Sequence, residues 1–138
     1  MKQLLILLLV VFTISCSKNP ETYVEHINGY WEIESVILLD GTEKKYTYNE
    51  SIDFFNITDS LTGFRKKLKP DFDGKFITSK DLETLKLVIE NDSLNAYYTT
   101  PFANWKETIL FADDEKLKII NQNKNVYLYK RYIPLNLN

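Results

Sequence analysis

The chain has 138 residues, a formal net charge of −2, one cysteine and one histidine. This length allows one domain, and a slightly acidic chain offers no electrostatic basis for binding nucleic acid. One Cys and one His are too few for a transition-metal site, and no Gly-rich phosphate loop or other cofactor motif is present. No metal and no cofactor are therefore expected.

The N-terminus begins with a short apolar segment. Residues 4–12 are all apolar, Lys2 precedes them, and the small Ser15 stands just before Cys16. A positive start, a short apolar run and a small residue at the cleavage site are typical of a secretory signal peptide. A membrane-spanning helix needs about 20 apolar residues, so this segment is too short to span. Residues 1–15 are predicted to be removed and to take no part in the fold.

Cys16 is the predicted site of lipid attachment. Residues 13–16, Thr-Ile-Ser-Cys, resemble the lipobox of bacterial lipoproteins, although Leu is commoner than Thr13 at its first position. The resemblance implies a diacylglycerol on the Cys16 thiol and a further acyl chain such as palmitate on its amino group. Two or three chains anchor a protein durably, whereas one does so only marginally. By resemblance to the sorting rules of outer-membrane lipoproteins, Ser17 in place of Asp directly after Cys16 favours the cell outer membrane.

These assignments divide the chain into four parts. After the signal peptide, residues 16–26 are predicted to be a lipidated polar tether, residues 27–133 the folded domain and residues 134–138 a frayed tail. His26 lies at the boundary of the tether, where we expect it to be solvated. With Cys16 lipidated, the domain keeps no thiol and must be stable through its core alone.

The first half of the domain alternates between apolar and polar residues. In residues 29–40, Trp31, Ile33 and Ile37 share one face, which indicates a half-buried strand. Asp40-Gly41 predicts a hairpin turn, and residues 45–57 return. After a turn at 58–63, residues 64–69 form the next predicted strand.

The second half continues the same pattern. The remaining predicted strands are residues 75–78, 84–90, 94–99, 105–112, 116–121 and 126–133, with a connection at 79–82. The acidic segments 71–73 and 113–115 lack the ligand spacing of a calcium loop and are predicted to be turns.

Short strands at this spacing indicate a sandwich or barrel, and short links between neighbours favour a meander. An eight-stranded meander removes its edges by closing, and its interior holds side chains or one small ligand. We therefore predict an all-β fold, an eight- to nine-stranded antiparallel meander β-barrel.

Two short motifs carry a family resemblance. Gly29-Tyr30-Trp31 opens the first strand, and Tyr127-Leu128-Tyr129-Lys130-Arg131 lies in the last. Together with the lipoprotein signal they resemble the small lipocalin-like lipoproteins of Bacteroidota-type bacteria, over residues 27–132. The resemblance implies that Trp31 closes one end of the barrel and that Arg131, or as a second choice Lys130, packs across its ring in a cation–π contact. The long first loop and the C-terminal helix of larger lipocalins are not evident, which argues against a deep calyx.

The segment 65–69 is the sharpest charge feature. Arg65, Lys67 and Lys69 share one face of their strand. They are suited to contact anionic lipid head groups, lipopolysaccharide or an acidic ligand. Alternatively, they protect an edge strand from aggregation.

Glu107 is the one candidate for a functional carboxylate. It lies two residues after Trp105, so the two share a face. If that face points inward, Glu107 is a buried carboxylate with a perturbed pKa and a candidate acid or ligand contact. If the face points outward, Glu107 is an ordinary surface charge.

The leading hypothesis is a lipid-anchored, non-enzymatic lipocalin-like protein of the cell envelope. It would bind a small apolar or amphipathic ligand, with Arg65, Lys67, Trp105 and Glu107 as candidate contacts. No catalytic residue is assigned, and no protein partner can be named.

Two rival hypotheses remain. The first is an envelope interaction protein, such as an assembly factor or a hydrolase inhibitor, with a filled barrel and an exposed patch of Tyr97, Tyr98, Phe102 and Trp105. The second is an enzyme using Glu107 with Arg65 or Lys67.

Overall fold

The structure is a computed structural model that describes residues 19–134. The predicted signal peptide (1–15), the lipidation site Cys16 and residues 135–138 of the tail lie outside the described residues. The described chain contains one short helix, α1 (Glu21–Ile27), followed by nine strands. The strands are β1 (Gly29–Ile37), β2 (Glu43–Lys45), β3 (Ile52–Ile57), β4 (Thr62–Pro70), β5 (Phe76–Glu90), β6 (Ser93–Thr99), β7 (Asn104–Ala112), β8 (Lys116–Ile120) and β9 (Val126–Arg131).

The strands form a closed barrel. β1 and β3 to β9 pair in sequence as antiparallel neighbours, and β9 returns to pair with β1. The short strand β2 adds to β1 outside this ring of eight strands. The prediction of an eight- to nine-stranded antiparallel meander barrel is confirmed.

The two ends of the barrel differ. Because neighbouring strands are antiparallel, their connections alternate between the ends. The closed end carries α1 and the turns at 58–61, 91–92 and 113–115. The opposite end, here called the mouth, carries the connections 38–51, 71–75, 100–103 and 121–125.

Helix α1 seals the closed end. Tyr23 and Ile27, one helical turn apart, are buried in the core, and the Tyr23 ring meets Phe111 edge-on at 5.9 Å between centroids. The predicted tether (16–26) is therefore wrong for residues 21–26, which belong to the folded domain. Apolar side chains four residues apart lie on the same helix face, and here that face packs against the barrel.

The apolar core fills the closed half of the barrel. Inward positions on successive strands bring together large side chains that are almost fully buried: Trp31, Phe55, Leu94, Leu117 and Ile119. Space for a ligand inside the barrel is therefore expected in the other half, towards the mouth.

The β4–β5 hairpin extends beyond its neighbours. The predicted short strand 75–78, the connection 79–82 and the strand 84–90 form one continuous strand, β5, with an irregularity in its pairing to β4. Phe76, near the hairpin tip, stacks on the outward ring of Tyr30 at 5.1 Å and 17°. Since residues 63–68 of β4 lie between β3 and β5, β4 is not an edge strand there, and the edge-protection interpretation is wrong for Arg65 and Lys67. Lys69 lies beyond the pairing with β3.

Candidate functional site

A pair of side chains locks the closed end. Trp31 is fully buried, and its indole Nε1 donates a hydrogen bond to the Ile27 carbonyl at 2.7 Å. The Arg131 guanidinium carbon lies 3.7 Å from the centroid of the Trp31 ring. Arg131 also donates to the carbonyls of Asn28 and His26, each at 2.7 Å. These bonds tie the last strand to the segment that joins α1 and β1 and so close this end of the barrel interior.

His26 also belongs to the closed end. Its Nδ1 lies 3.0 Å from the exposed Asp114 carboxylate. It lies at the opposite end of the barrel from the mouth and takes no part in the site described below.

Arg65 is the centre of a charged floor half-way up the barrel. Its Nε donates to Glu83, and its Nη1 lies 3.1 Å from a carboxylate oxygen of Glu107. Its guanidinium carbon also lies 4.3 Å from the centroid of the Tyr98 ring. The structure thus brings together two predicted site residues, Arg65 and Glu107, and places Glu107 inside the barrel.

In this network, burial and ion pairing shift the pKa values of Arg65 and Glu107 in opposite directions. Burial raises the pKa of Glu107, although Arg65 partly offsets the shift. Burial by itself would lower the pKa of Arg65, but its anionic neighbours, Glu107 and Glu83 among them, outweigh that effect and hold the Arg65 pKa above its usual value. The guanidinium is therefore a permanent positive charge. The Tyr98 phenol stays neutral because burial raises its pKa well above the usual value.

Trp105 covers the floor beside Arg65. Its ring stacks on Tyr98 at 5.2 Å between centroids and 12° between planes. Tyr98 is buried inside the barrel, while Tyr97 points outward and donates a hydrogen bond to Glu90. The predicted exposed patch of Tyr97, Tyr98, Phe102 and Trp105 is therefore wrong, because neighbouring residues of a strand face opposite sides.

Lys67 stands above the floor, nearer the mouth. Its Nζ lies 2.8 Å from the Asp53 carboxylate, and the Lys67 side chain is 69% exposed while that of Asp53 is 6% exposed. Burial raises the pKa of Tyr129 well above its usual value, and the neighbouring Asp53 raises it further. Lys67 therefore neutralises a buried carboxylate while its ammonium group remains in contact with water.

Two cavities open at the mouth and share Lys67 and Ser51. The larger has a volume of about 610 Å³ and is lined by Ser51, Arg65, Lys67, Lys69, Ile77, Thr78, Asp81 and Glu83. The smaller, of about 190 Å³, is lined by Trp31, Ile33, Asn49, Glu50, Ser51, Asp53, Lys67, Tyr127 and Tyr129. The larger volume lies in the range typical of small-molecule sites.

Sequence reasoning missed several members of the site, among them two carboxylates that pair with its cations. Asp53 and Glu83 both face the interior, opposite Lys67 and Arg65 on the neighbouring strands. Asp53 stands between the apolar residues Ile52 and Phe54, so alternation alone suggests that it faces water. Only the pairing register reveals the inward carboxylates, and a single sequence does not contain it.

Metal-binding clusters and membrane-spanning helices were the two further features sought in residues 19–134. No group of three or more His, Cys, Asp or Glu side chains is arranged to hold a metal ion there. Asp71 and Asp113 instead accept hydrogen bonds from nearby backbone amides in their turns. None of the described helices is long and apolar enough to cross a membrane.

Comparison with known proteins identifies the family of the chain from its sequence. Residues 27–119 match the sequence model of the lipocalin-like domain. No curated protein matches the chain. A lipocalin-like protein from Bacteroides uniformis ATCC 8492, known from a crystal structure, superimposes with a TM-score of 0.48 at 9% identity, covering 77% of this chain and 98% of that one. The family match spans most of the barrel, and the chain therefore belongs to the lipocalin-like domain family.

Proposed function

We propose that this protein is a lipid-anchored, non-enzymatic binding protein of the cell envelope that holds a small amphipathic molecule at the barrel mouth. The observation that carries the proposal is the cavity of about 610 Å³ above the floor formed around Arg65. The closed half is filled by the core, so the ligand occupies a shallow cup and not a deep calyx.

The lining of the cup favours an amphipathic ligand. Ile77 and the methylene stems of Lys67 and Lys69 supply apolar surface. Ser51, Thr78 and the charged groups supply hydrogen-bond donors and acceptors in the same space. A purely apolar ligand would leave these polar groups desolvated without partners, which is unfavourable.

The anchor is the second part of the proposal. Lipidation at Cys16 would hold the domain at a membrane, and Ser17 favours the outer membrane. Five peptide steps separate Cys16 from Glu21, the first residue of α1, and they reach at most about 18 Å. Because α1 lies at the closed end, that end would face the anchoring membrane and the mouth would face away from it.

The ion pairs support a binding role over catalysis. Arg65 and Glu107 do meet, as the enzyme hypothesis requires, but Arg65 is shared between two carboxylates and Glu107 is engaged with it. Ser51 is the one Ser among the residues that line the larger cavity, and no Cys or His is among them. His26 lies at the far end of the barrel. A Ser–His pair, one common form of activated nucleophile, is therefore not present in the larger cavity.

Mass spectrometry of molecules that co-purify with the natively anchored protein tests the proposal. We expect a small amphipathic compound in stoichiometric amount after extraction from the envelope. A barrel recovered empty, which also fails to bind fatty acids, alcohols and lysolipids, would contradict the proposal.

Exposed aromatic residues favour a second candidate, an envelope interaction protein. Phe72 and Phe102 are 100% and 96% exposed, on two different mouth connections. Exposed aromatic side chains are common anchors of protein interfaces. Under this candidate, replacing both Phe residues by Ser would abolish binding to the protein partner and would leave retention of the small ligand unchanged.

A further inference from the structure

We infer that the molecule bound at the mouth is an anionic amphiphile whose head group lies between Lys67 and Lys69, above Arg65. This inference rests on the proposed function and names the class of ligand for that site. Arg65, Lys67 and Lys69 are together called the cationic stripe.

The cationic stripe is built into the wall of the larger cavity. β4 pairs on both sides, so alternate residues face inward, and all three cations line that cavity. Residues two apart on a strand are separated by about 7 Å. A carboxylate or phosphate group placed between two neighbouring ammonium groups therefore reaches both.

Unused hydrogen-bond donors remain on the cationic stripe. An ammonium group has three donors, and Lys67 uses one on Asp53. Lys69 pairs with Glu50, whose side chain is 75% exposed, and a pair of this kind contributes little and is readily replaced. The bonds of Arg65 to Glu83, Glu107 and Tyr98 use Nε and Nη1 and leave Nη2 for a ligand.

The carboxylates near the cationic stripe do not block an anion. Two carboxylates line the larger cavity, Glu83 and Asp81, against the three cations of the stripe. Glu83 is held by Arg65, and Asp81 also has an interaction partner. Asp53 and Glu107 are not among the lining residues. A head group approaching from the mouth therefore meets the exposed ammonium groups of Lys67 and Lys69 first. Its apolar chain then lies along Ile77, the apolar side chain of the same wall.

Calorimetric titration of the lipidated full chain in phosphatidylcholine nanodiscs, with empty nanodiscs as blank, tests the inference. The probes are decanoate, decanol and acetate, which separate the charge from the chain. We expect decanoate to bind at least tenfold more tightly than either decanol or acetate, and less tightly at high salt. Equal affinity for decanoate and decanol would overturn the inference, and so would acetate binding as tightly as decanoate.

Matched variants locate the charge. Lys69→Gln is expected to weaken decanoate at least threefold and to leave decanol unchanged, whereas K75Q, at an 82% exposed side chain of the hairpin tip, should change neither. Lys67→Gln is combined with Asp53→Asn, because Lys67→Gln alone would leave the buried Asp53 carboxylate without its cation. An unchanged decanoate affinity in both K69Q and D53N/K67Q would overturn the inference. Failure of decanoate and decanol alike to bind the wild type would instead contradict the proposed function.

Discussion

At the scale of single residues, Gly29 explains why the motif Gly29-Tyr30-Trp31 needs its glycine. Gly29 has φ +116°, and a Cβ built there would lie 2.9 Å from Nη1 of Arg131. The same nitrogen donates to the Asn28 carbonyl. The glycine therefore makes room for the guanidinium that covers Trp31.

Gly29→Ala is expected to destabilise the barrel by about 2–3 kcal/mol, since it adds backbone strain and displaces Arg131. Gly41→Ala is the control, because Gly41 also has a positive φ of 87° but no atom within 4 Å of its Cβ position. Urea unfolding measures both. Equal losses in the two variants would show that the contact with Arg131 contributes nothing.

Glu107 gives a pH dependence with a definite sign. Burial raises the pKa of Glu107, so the folded state binds this proton more tightly than the unfolded state. Its contribution to stability therefore falls as pH rises from the ordinary pKa of glutamate to the raised one. The stability of wild type relative to Glu107→Gln should decline across that interval and then level off, as measured by urea unfolding between pH 4 and 8. A relative stability that rises with pH would contradict this account.

The alternation of residues predicted part of the site and missed part of it. Alternation along a strand is a local property. It therefore puts Arg65, Lys67 and Lys69 on one face of β4, and Trp105 and Glu107 on one face of β7. Which face points inward depends on pairing with other strands, so the orientation of Glu107 remained open. The inward Asp53 could not be found for the same reason.

At the scale of elements, strand periodicity predicted the meander but not α1. A helix of seven residues offers only two buried positions, too few to distinguish a 3.6-residue period from chance. Its stability comes from docking on the barrel, since isolated helices of this length do not persist in water. The sequence predicts two strands in place of β5, because the irregularity in its pairing with β4 interrupts the alternation of apolar and polar residues.

Tyr23→Ala tests the docking of α1. Loss of a buried aromatic ring that contacts Phe111 should reduce the free energy of unfolding by about 3 kcal/mol. Thr22→Ala, at the exposed neighbouring position, should change it by about 0.5 kcal/mol or less. If Tyr23→Ala matched Thr22→Ala in urea unfolding, α1 would not be part of the cooperative core.

At the scale of the whole molecule, the position of α1 predicts an orientation. Cys16 is the only cysteine of the chain, so once it is lipidated a single new thiol can carry a fluorophore. We expect a label at Asp59→Cys, in a closed-end turn, to be quenched more strongly by a lipid-embedded quencher than one at Gln122→Cys, in a mouth turn. Stronger quenching at residue 122 would reverse the proposed orientation.

The central claim is that the mouth is the ligand site, and a variant that fills it tests the claim most directly. Ser51 lines both mouth cavities, whereas Lys118 is exposed on β8 and lines neither of these cavities. Native mass spectrometry of the lipidated protein should show the co-purified small molecule on wild type and on Lys118→Trp, and its loss from Ser51→Trp. Retention of the molecule by a folded Ser51→Trp variant would contradict the claim.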